Sequence, residues 1–291
     1  MGLTPPAIQC LILDHAQRPF EGPLLTLGVQ DVMASYEDIQ RWFAKANLVP
    51  HEIVAENRES SSSVYLKLQL GDKSNFVHER TLFEMMGIKD YAALDAFDCE
   101  GATLVHDLTK PVPRSWHGQF GTIIDGGTIE HIVDLKTVFT NIVSMLRVGG
   151  SIVHISPISG WVNHGFFQIS PCLFYEFYEQ NGFETQDGYL IHLDSDGNVG
   201  NFSAETYSYE DGRIFPEKEG RSSGVIFRAH KTRPVAEVMM PTQRKYFVRE
   251  RMAQEMQRKE AGPHRSEPVT DNVESLRPVQ PKIRHFSRTQ R

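Results

Sequence analysis

The chain has 291 residues, 40% of them hydrophobic and 23% charged, with a formal net charge of −7; this is close to the globular average, so most of it can bury enough apolar surface to offset its ordering entropy, and overall disorder is excluded. No run approaches the ~18 apolar residues of a membrane span, and the opening Met-Gly-Leu-Thr-Pro-Pro lacks the basic and apolar regions of a signal peptide. Cys10, Cys99 and Cys172 are odd in number and far apart, which predicts neither a disulfide framework nor a thiolate zinc site and fits a reducing cytoplasm.

Pro5 to Gln17 reads as a short helix, with Ile8, Leu11, Ile12 and His15 at helical spacing, and is expected to cover one edge of a sheet. Leu24-Leu25-Thr26-Leu27, running into Gly28, has the pattern of a buried parallel strand entering a turn. Tyr36 to Asn47 reads as an amphipathic helix. Residues 48–73 are polar and read as an insertion. Asn75 to Gly87 is helical, with Phe76, Leu82, Phe83 and Met86 on one face and Gly87 as its C-cap.

Tyr91 to Asp95, Thr103 to His106, Thr122 to Asp125 and Ser151 to Ile155 are four short apolar runs, separated by turns or helical stretches. The last helix between them, Leu135 to Leu146, has Val138, Ile142 and Met145 on one face and stops at Arg147-Val148-Gly149-Gly150. Pro171 to Gly182 is a strongly aromatic helix. Phe183 to Leu193 and Gly224 to His230 read as two final strands around a Gly- and Asp-rich excursion. Alternation of this kind predicts an α/β fold with a doubly wound, mostly parallel, seven-stranded sheet.

The domain expected from this pattern covers residues 1–233, followed by a charged helix within 234–260 and a disordered tail over 261–291, where Pro, Arg and Ser dominate. Residues 1–227 carry 15 Lys and Arg against 30 Asp and Glu, whereas residues 228–291 carry 15 against 7. An acidic body argues against nucleic acid as a ligand of the core domain, because phosphate contacts supply most of that affinity. The oligomeric state is open.

In a parallel α/β sheet, ligands bind beyond the carboxyl ends of the strands, near the point where strand order reverses. The residues there are Gly28 to Asp31, including Gln30, then Asp95 to Asp98, Asp107-Leu108, and Asp125-Gly126-Gly127-Thr128 through Glu130-His131. A glycine turn lets backbone approach a ligand, and a carboxylate ending the second strand can accept both hydroxyl protons of a ribose. Gly28 and Asp95 are placed for those tasks, although Asp95 and Asp107 equally suit ordinary turn carboxylates or helix caps.

Pro157 to Pro171, PISGWVNHGFFQISP, sets Trp161, Asn163, His164, Phe167 and Gln168 just past a strand end. Aromatic walls with a few polar groups describe a small-molecule pocket, so Trp161, Asn163, Phe167 and Gln168 are candidate substrate contacts. His164 is the candidate general base, with His131 second, since an imidazole is partly neutral near physiological pH; the other reading of His164 is a structural histidine bonding a loop carbonyl. His154, within a strand, reads as a satisfied core residue. A metal held by His131, His164 and either Asp107 or Asp125 is chemically conceivable, but no tight H-x-x-x-H spacing supports one, and no metal is expected.

Phe120-Gly-Thr-Ile-Ile-Asp125-Gly-Gly-Thr-Ile-Glu130-His131, the helix after it, and Arg147-Val-Gly-Gly-Ser-Ile-Val-His154-Ile-Ser-Pro157 together resemble the fourth and fifth strands of class I S-adenosylmethionine-dependent methyltransferases. The resemblance runs from about Leu24 to His230 and includes Glu100-Gly-Ala-Thr-Leu-Val-His-Asp107-Leu. It implies a Rossmann-like fold, S-adenosylmethionine as cofactor, and methyl transfer to a hydroxyl, or an amine, of a small molecule or sugar. By the same resemblance Gly28, with Gln30 and Asp31, sits in the cofactor turn, Asp95 contacts the ribose, Asp107 and Leu108 flank the adenine, and Asp125, Gly126, Gly127 and Thr128 face the methionine part. The first turn, Leu27-Gly28-Val29-Gln30-Asp31, has one glycine where the family has two or three. A methyltransferase-fold binding or scaffold protein without turnover is therefore the alternative. A nicotinamide-dependent oxidoreductase is disfavoured because G-x-G-x-x-G is absent after the first strand.

Overall fold

The computed structural model describes residues 2–52, 75–194, 202–209, 220–260 and 285–286. In chain order the elements are β1 (Gly2–Leu3), α1 (Pro5–Gln17), β2 (Leu24–Leu27), β3 (Asp31–Val32), α2 (Tyr36–Lys45), α3 (Glu79–Met85), β4 (Tyr91–Asp95), β5 (Leu104–Val105), β6 (Phe120–Gly126), α4 (Leu135–Met145), β7 (Leu146–Ser159), α5 (Pro171–Gln180), β8 (Phe183–Asp194), β9 (Phe202–Tyr207), β10 (Arg221–Lys231), α6 (Arg244–Glu260) and β11 (His285–Phe286). Most of the insertion expected at 48–73 lies outside the described residues.

The main sheet has the order β11-β9-β8-β10-β7-β6-β2-β4-β5, nine strands counting the two-residue β11 and eight without it. The fold is α/β, but the sheet is mixed rather than a mostly parallel set of seven. From β5 through β4, β2 and β6 to β7 the neighbours are parallel, whereas β7-β10, β10-β8, β8-β9 and β9-β11 are antiparallel. The reason lies in the connections. A parallel neighbour needs a crossover of a dozen or more residues, usually helical, and the chain between β8 and β10 supplies a strand instead. That strand, β9, is the part of the Gly- and Asp-rich excursion that the hydrophobic pattern does not reveal, because FSAETY has few large apolar residues. His285–Phe286, within the tail expected to be disordered, lies along β9.

The strands are buried on both faces, which is why they read as continuous apolar runs rather than alternating ones. Leu25, Ile123, Ile152, Val225 and Phe227 point to one side, where Val138, Phe139 and Ile142 of α4 and Phe174, Phe177 and Tyr178 of α5 cover them. Leu24, Ile124, Val153, Ile191 and Ile226 point to the other, beneath Ile8, Leu11 and Ile12 of α1, Ile39 and Phe43 of α2, and Leu82 and Phe83 of α3. Each such side chain contributes roughly 1.5–3 kcal/mol on burial. Thus α1 does not guard a sheet edge; it packs on the face over the central strands. There Arg228 of β10 donates to Asp14 at 2.7 Å and to the carbonyl of Arg18 at 2.7 Å, an internal ion pair joining α1 to the sheet.

Local chemistry sets the helix starts. Ser35 caps α2 in a reciprocal box with Asp38, satisfying backbone donors that would otherwise be orphaned. The α3 helix is shorter than the 75–87 pattern predicts, because Phe76 is held in a bridge with Ser35 and the helix starts only after His78.

Candidate active site

Numbered along the chain, the five parallel strands run 3-2-1-4-5 across the sheet, so order reverses between β2 and β6. The crevice beyond Leu27 and Gly126 is therefore where this architecture binds ligands. Gly28 turns the chain there at φ +78°, a conformation that favours glycine, and its amide donates to the carbonyl of Leu94 at 2.6 Å. Asp95, half-buried at the end of β4, accepts from the amide of Val29 at 3.4 Å and from that of Phe97 at 3.2 Å. A carboxylate has about four lone-pair sites, so it keeps capacity for a ligand hydroxyl.

The sequence-selected residues separate into distinct environments. Gln30 is buried, its carboxamide donating to the carbonyls of Leu27 at 2.8 Å and Gly28 at 3.3 Å, while its Oε1 has no partner among the described residues. A Cβ on Gly126 would lie 2.3 Å from that oxygen, so a larger residue there would have to displace the Gln30 side chain. The Gln30 amide donates to Glu79 of α3 at 2.5 Å. Burial pushes the Glu79 carboxyl up to about 7, against the hydrogen bonds from Tyr91 and Gln30 that favour its charged form. Asp31 lies buried in β3, paired with β1. Asp107 is exposed and accepts from the amide and hydroxyl of Thr109, bonds that hold its pKa below the usual carboxylate value. Leu108 is buried, its carbonyl taken by Asn141 at 3.0 Å.

Asp125 is fully buried and faces the α4–α5 side. It accepts from the amide of Thr128 at 2.9 Å and pairs at 2.7 Å with Nδ1 of His154, whose Nε2 lies 2.7 Å from the Tyr178 hydroxyl. His154 is thus the satisfied core residue the sequence indicates, stacked on Phe174 with ring centroids 4.4 Å apart. The Thr128 hydroxyl donates to the carbonyl of Leu27, stitching the turn after β6 to the end of β2.

Beside this crevice lies a mostly apolar cavity of about 290 Å³. Its walls include Thr4 and Met33, Gly126 and Gly127, Glu130, and Trp161 and His164. Gly126 and Gly127 belong to both regions, so the cavity opens directly beside the turn that the cofactor resemblance singles out. Trp161 is anchored by its indole N–H to the carbonyl of Ser223 at 3.0 Å and by its amide to Oε1 of Gln168 at 3.0 Å. Asn163 adopts φ +66° in the same turn, and Phe167 packs partly against the α4–α5 core. Among the four substrate candidates, Trp161 lines the cavity, while Gln168 supports it from behind.

Glu130, which the sequence places at a strand end without a role, is the central residue of this wall. Its side chain is 1% exposed, no other described residue donates a hydrogen bond to either carboxylate oxygen, and His164 Nε2 stands 3.6 Å from Oε1. His131 joins them: one ligating atom from each of Glu130, His131 and His164 falls within 4.8 Å of the others, and the two imidazoles have centroids 5.1 Å apart. Burial, with Asp125 nearby, pushes the Glu130 carboxyl up to about 8. Burial also lowers both imidazoles, His131 further through His164. The only sequence signal was Glu130-His131 directly after a strand turn. What brings His164 to it is the loop after β7, whose Phe166 and Phe167 amides both donate to the carbonyl of Glu130, at 2.9 and 3.1 Å.

An α/β sheet whose strand order reverses beside a cavity is a Rossmann-like architecture. Solved structures similar to it include several methyltransferases, one of them described as S-adenosylmethionine-dependent. One from Thermotoga maritima is 12% identical over 77% of this chain and 90% of its own, at a TM-score of 0.36. A 16S rRNA (adenine(1408)-N(1))-methyltransferase from Catenulisporales acidiphilia is 13% identical over 50% and 78%, at 0.31. A branched-chain polyamine synthase from Thermus thermophilus is 19% identical over 69% of this chain, at 0.34; the match spans 66% of that enzyme, just under two thirds. No protein-family model and no curated protein matches the chain.

Proposed function

We propose that the protein transfers a methyl group from S-adenosylmethionine to an oxygen of a small acceptor held in the cavity. The observation that carries this reading is the junction at Gly126 and Gly127, where the crevice beyond β2 and β6 meets a cavity walled by Trp161, Glu130 and His164. Methyl transfer needs two reactants held in line more than it needs strong acid–base chemistry, and two adjoining sites supply that arrangement.

The residues present fit the cofactor. Asp95 would take the ribose hydroxyls, and the Gly28 turn would let the backbone come close to the nucleoside. The Gln30 Oε1, which has no partner among the described residues, would accept from the ammonium of the methionine part, which ends an otherwise costly burial of that oxygen. Bound there, the cofactor supplies an electrophilic methyl group. Trp161 would position the acceptor, and its hydroxyl would lose its proton at the cluster of Glu130, His131 and His164.

The expected outcome of calorimetric titration with S-adenosylmethionine and with its demethylated product is micromolar binding that Asp95→Ala weakens at least tenfold. A second reading, a binding protein of the same fold without turnover, is favoured by the Gln30 side chain standing over Gly126. Absence of binding by either compound would make that second reading the better one.

A further inference from the structure

We infer that Glu130, His131 and His164 form a binding site for one divalent first-row transition ion, such as Zn²⁺ or Co²⁺, with its open coordination positions facing the cavity. The three side chains come from two places, the turn after β6 and the loop after β7, and converge so that one ligating atom of each lies within 4.8 Å of the others. In a tetrahedral zinc site with bonds of ~2.0–2.1 Å, neighbouring ligand atoms stand roughly 3.4 Å apart. The His164 Nε2 to Glu130 Oε1 separation is 3.6 Å. That is too long for a hydrogen bond and close to the edge of such a tetrahedron.

The second observation is independent of spacing. Glu130 is wholly buried, and no other residue among those described donates a hydrogen bond to either of its oxygens. A buried carboxylate stays ionised only where a cation or donors compensate it, and among the described residues no Lys or Arg lines the cavity. Its carboxylate faces the cavity beside Gly127, where a Cβ would stand 3.2 Å from Oε1. The site is also held in shape: the loop carrying His164 is fixed to the carbonyl of Glu130 by two amides, and a Cβ on Gly165 would meet the Glu130 side chain and carbonyl at 3.0 Å. Two imidazoles and a carboxylate with vacant positions are the donor set of catalytic rather than structural metal sites.

The consequence for chemistry rests on the methyl-transfer reading, whereas binding of the ion does not. With the ion in place, both imidazoles are committed to it. The acceptor oxygen would occupy an open position and release its proton to water. It would then form its bond to the methyl carbon as the carbon–sulfur bond breaks and its electron pair passes to sulfur; the ion is unchanged.

The test is calorimetric titration of the chelator-stripped full chain with Zn²⁺, and with Co²⁺ followed by its visible absorption, both without S-adenosylmethionine. One equivalent should bind with micromolar or tighter affinity, and Co²⁺ should show the intense bands of a four- or five-coordinate ion. Glu130→Gln and His164→Asn should each weaken binding at least about 100-fold, since even partners behind the ligands are worth 10–100-fold. Glu130→Gln removes a buried charge and His164 is 42% exposed, so at least one variant will fold, as a matching thermal transition would verify. Absence of a one-equivalent site, or undiminished affinity in a folded variant, overturns the proposal. Because S-adenosylmethionine binding is measured separately, either idea can fail alone.

Discussion

At the scale of single residues, the site is shaped by carboxylates whose surroundings differ. Asp125 is surrounded by donors: two backbone amides and the His154 ring. Glu79 has fewer, and burial raises its carboxyl from 4.5 to about 7. Since the folded value lies above the unfolded one, the stability linked to its proton is fully present below about pH 4.5 and is lost as pH rises through about 7. Glu79→Gln keeps an acceptor for the Gln30 amide and removes the charge. It should flatten the fall in stability between those two values and leave the protein more stable than wild type at pH 8, by up to roughly 3 kcal/mol. Denaturant titrations at pH 5, 6, 7 and 8 would show it; parallel curves for the two proteins would refute it. The positions of Gly28 and Asp95 at strand ends were legible in the sequence because each directly closes an apolar run. The role of Glu130 was not, because nothing in the order of residues says that a side chain will lack a donor.

At the scale of elements, most helices and parallel strands could be placed from periodicity. Pro5–Gln17 matches the pattern end to end, and β2 and β4 coincide with their apolar runs. β9 could not be placed, since only Phe202, Ala204 and Tyr207 of its six residues reach the apolar clusters, and polar residues separate them, too sparse a pattern to mark a strand without its ladder to β8. The loop after β7 is the decisive connection. Its aromatic residues announced a pocket, but its docking on the Glu130 carbonyl, which sets His164 beside Glu130, depends on Gly165 lying against that side chain. Gly165→Ala should therefore shift the loop, at a cost of about 1–3 kcal/mol for overpacking a close contact. The measurement is the shift in denaturation midpoint relative to wild type, and a variant as stable as wild type would mean that the loop yields freely.

At the scale of the whole molecule, the sheet joins two apolar clusters that lie on its opposite faces, and the Asp14–Arg228 pair ties the first helix to the last long strand across 214 residues of sequence. Removing Arg228 leaves Asp14 with Arg18 as its remaining ionic partner, so the loss is that of hydrogen bonds to a charged group rather than of a stranded charge. Arg228→Ala should lower stability by about 1.5–3 kcal/mol while unfolding remains a single transition. A biphasic melt would show instead that α1 and its cluster unfold apart from the rest.

The sequence by itself determined the α/β class, the alternation of strands and helices, and the strand ends at which ligands would be sought, because hydrophobic periodicity and glycine turns are local properties. Only the tertiary structure decided the mixed direction of the sheet, the burial of Asp125 away from the cavity, and the meeting of Glu130 and His131 with His164. Those depend on which strands become neighbours and on which face each side chain then points to, and such long-range pairings are set by the packing of the whole chain.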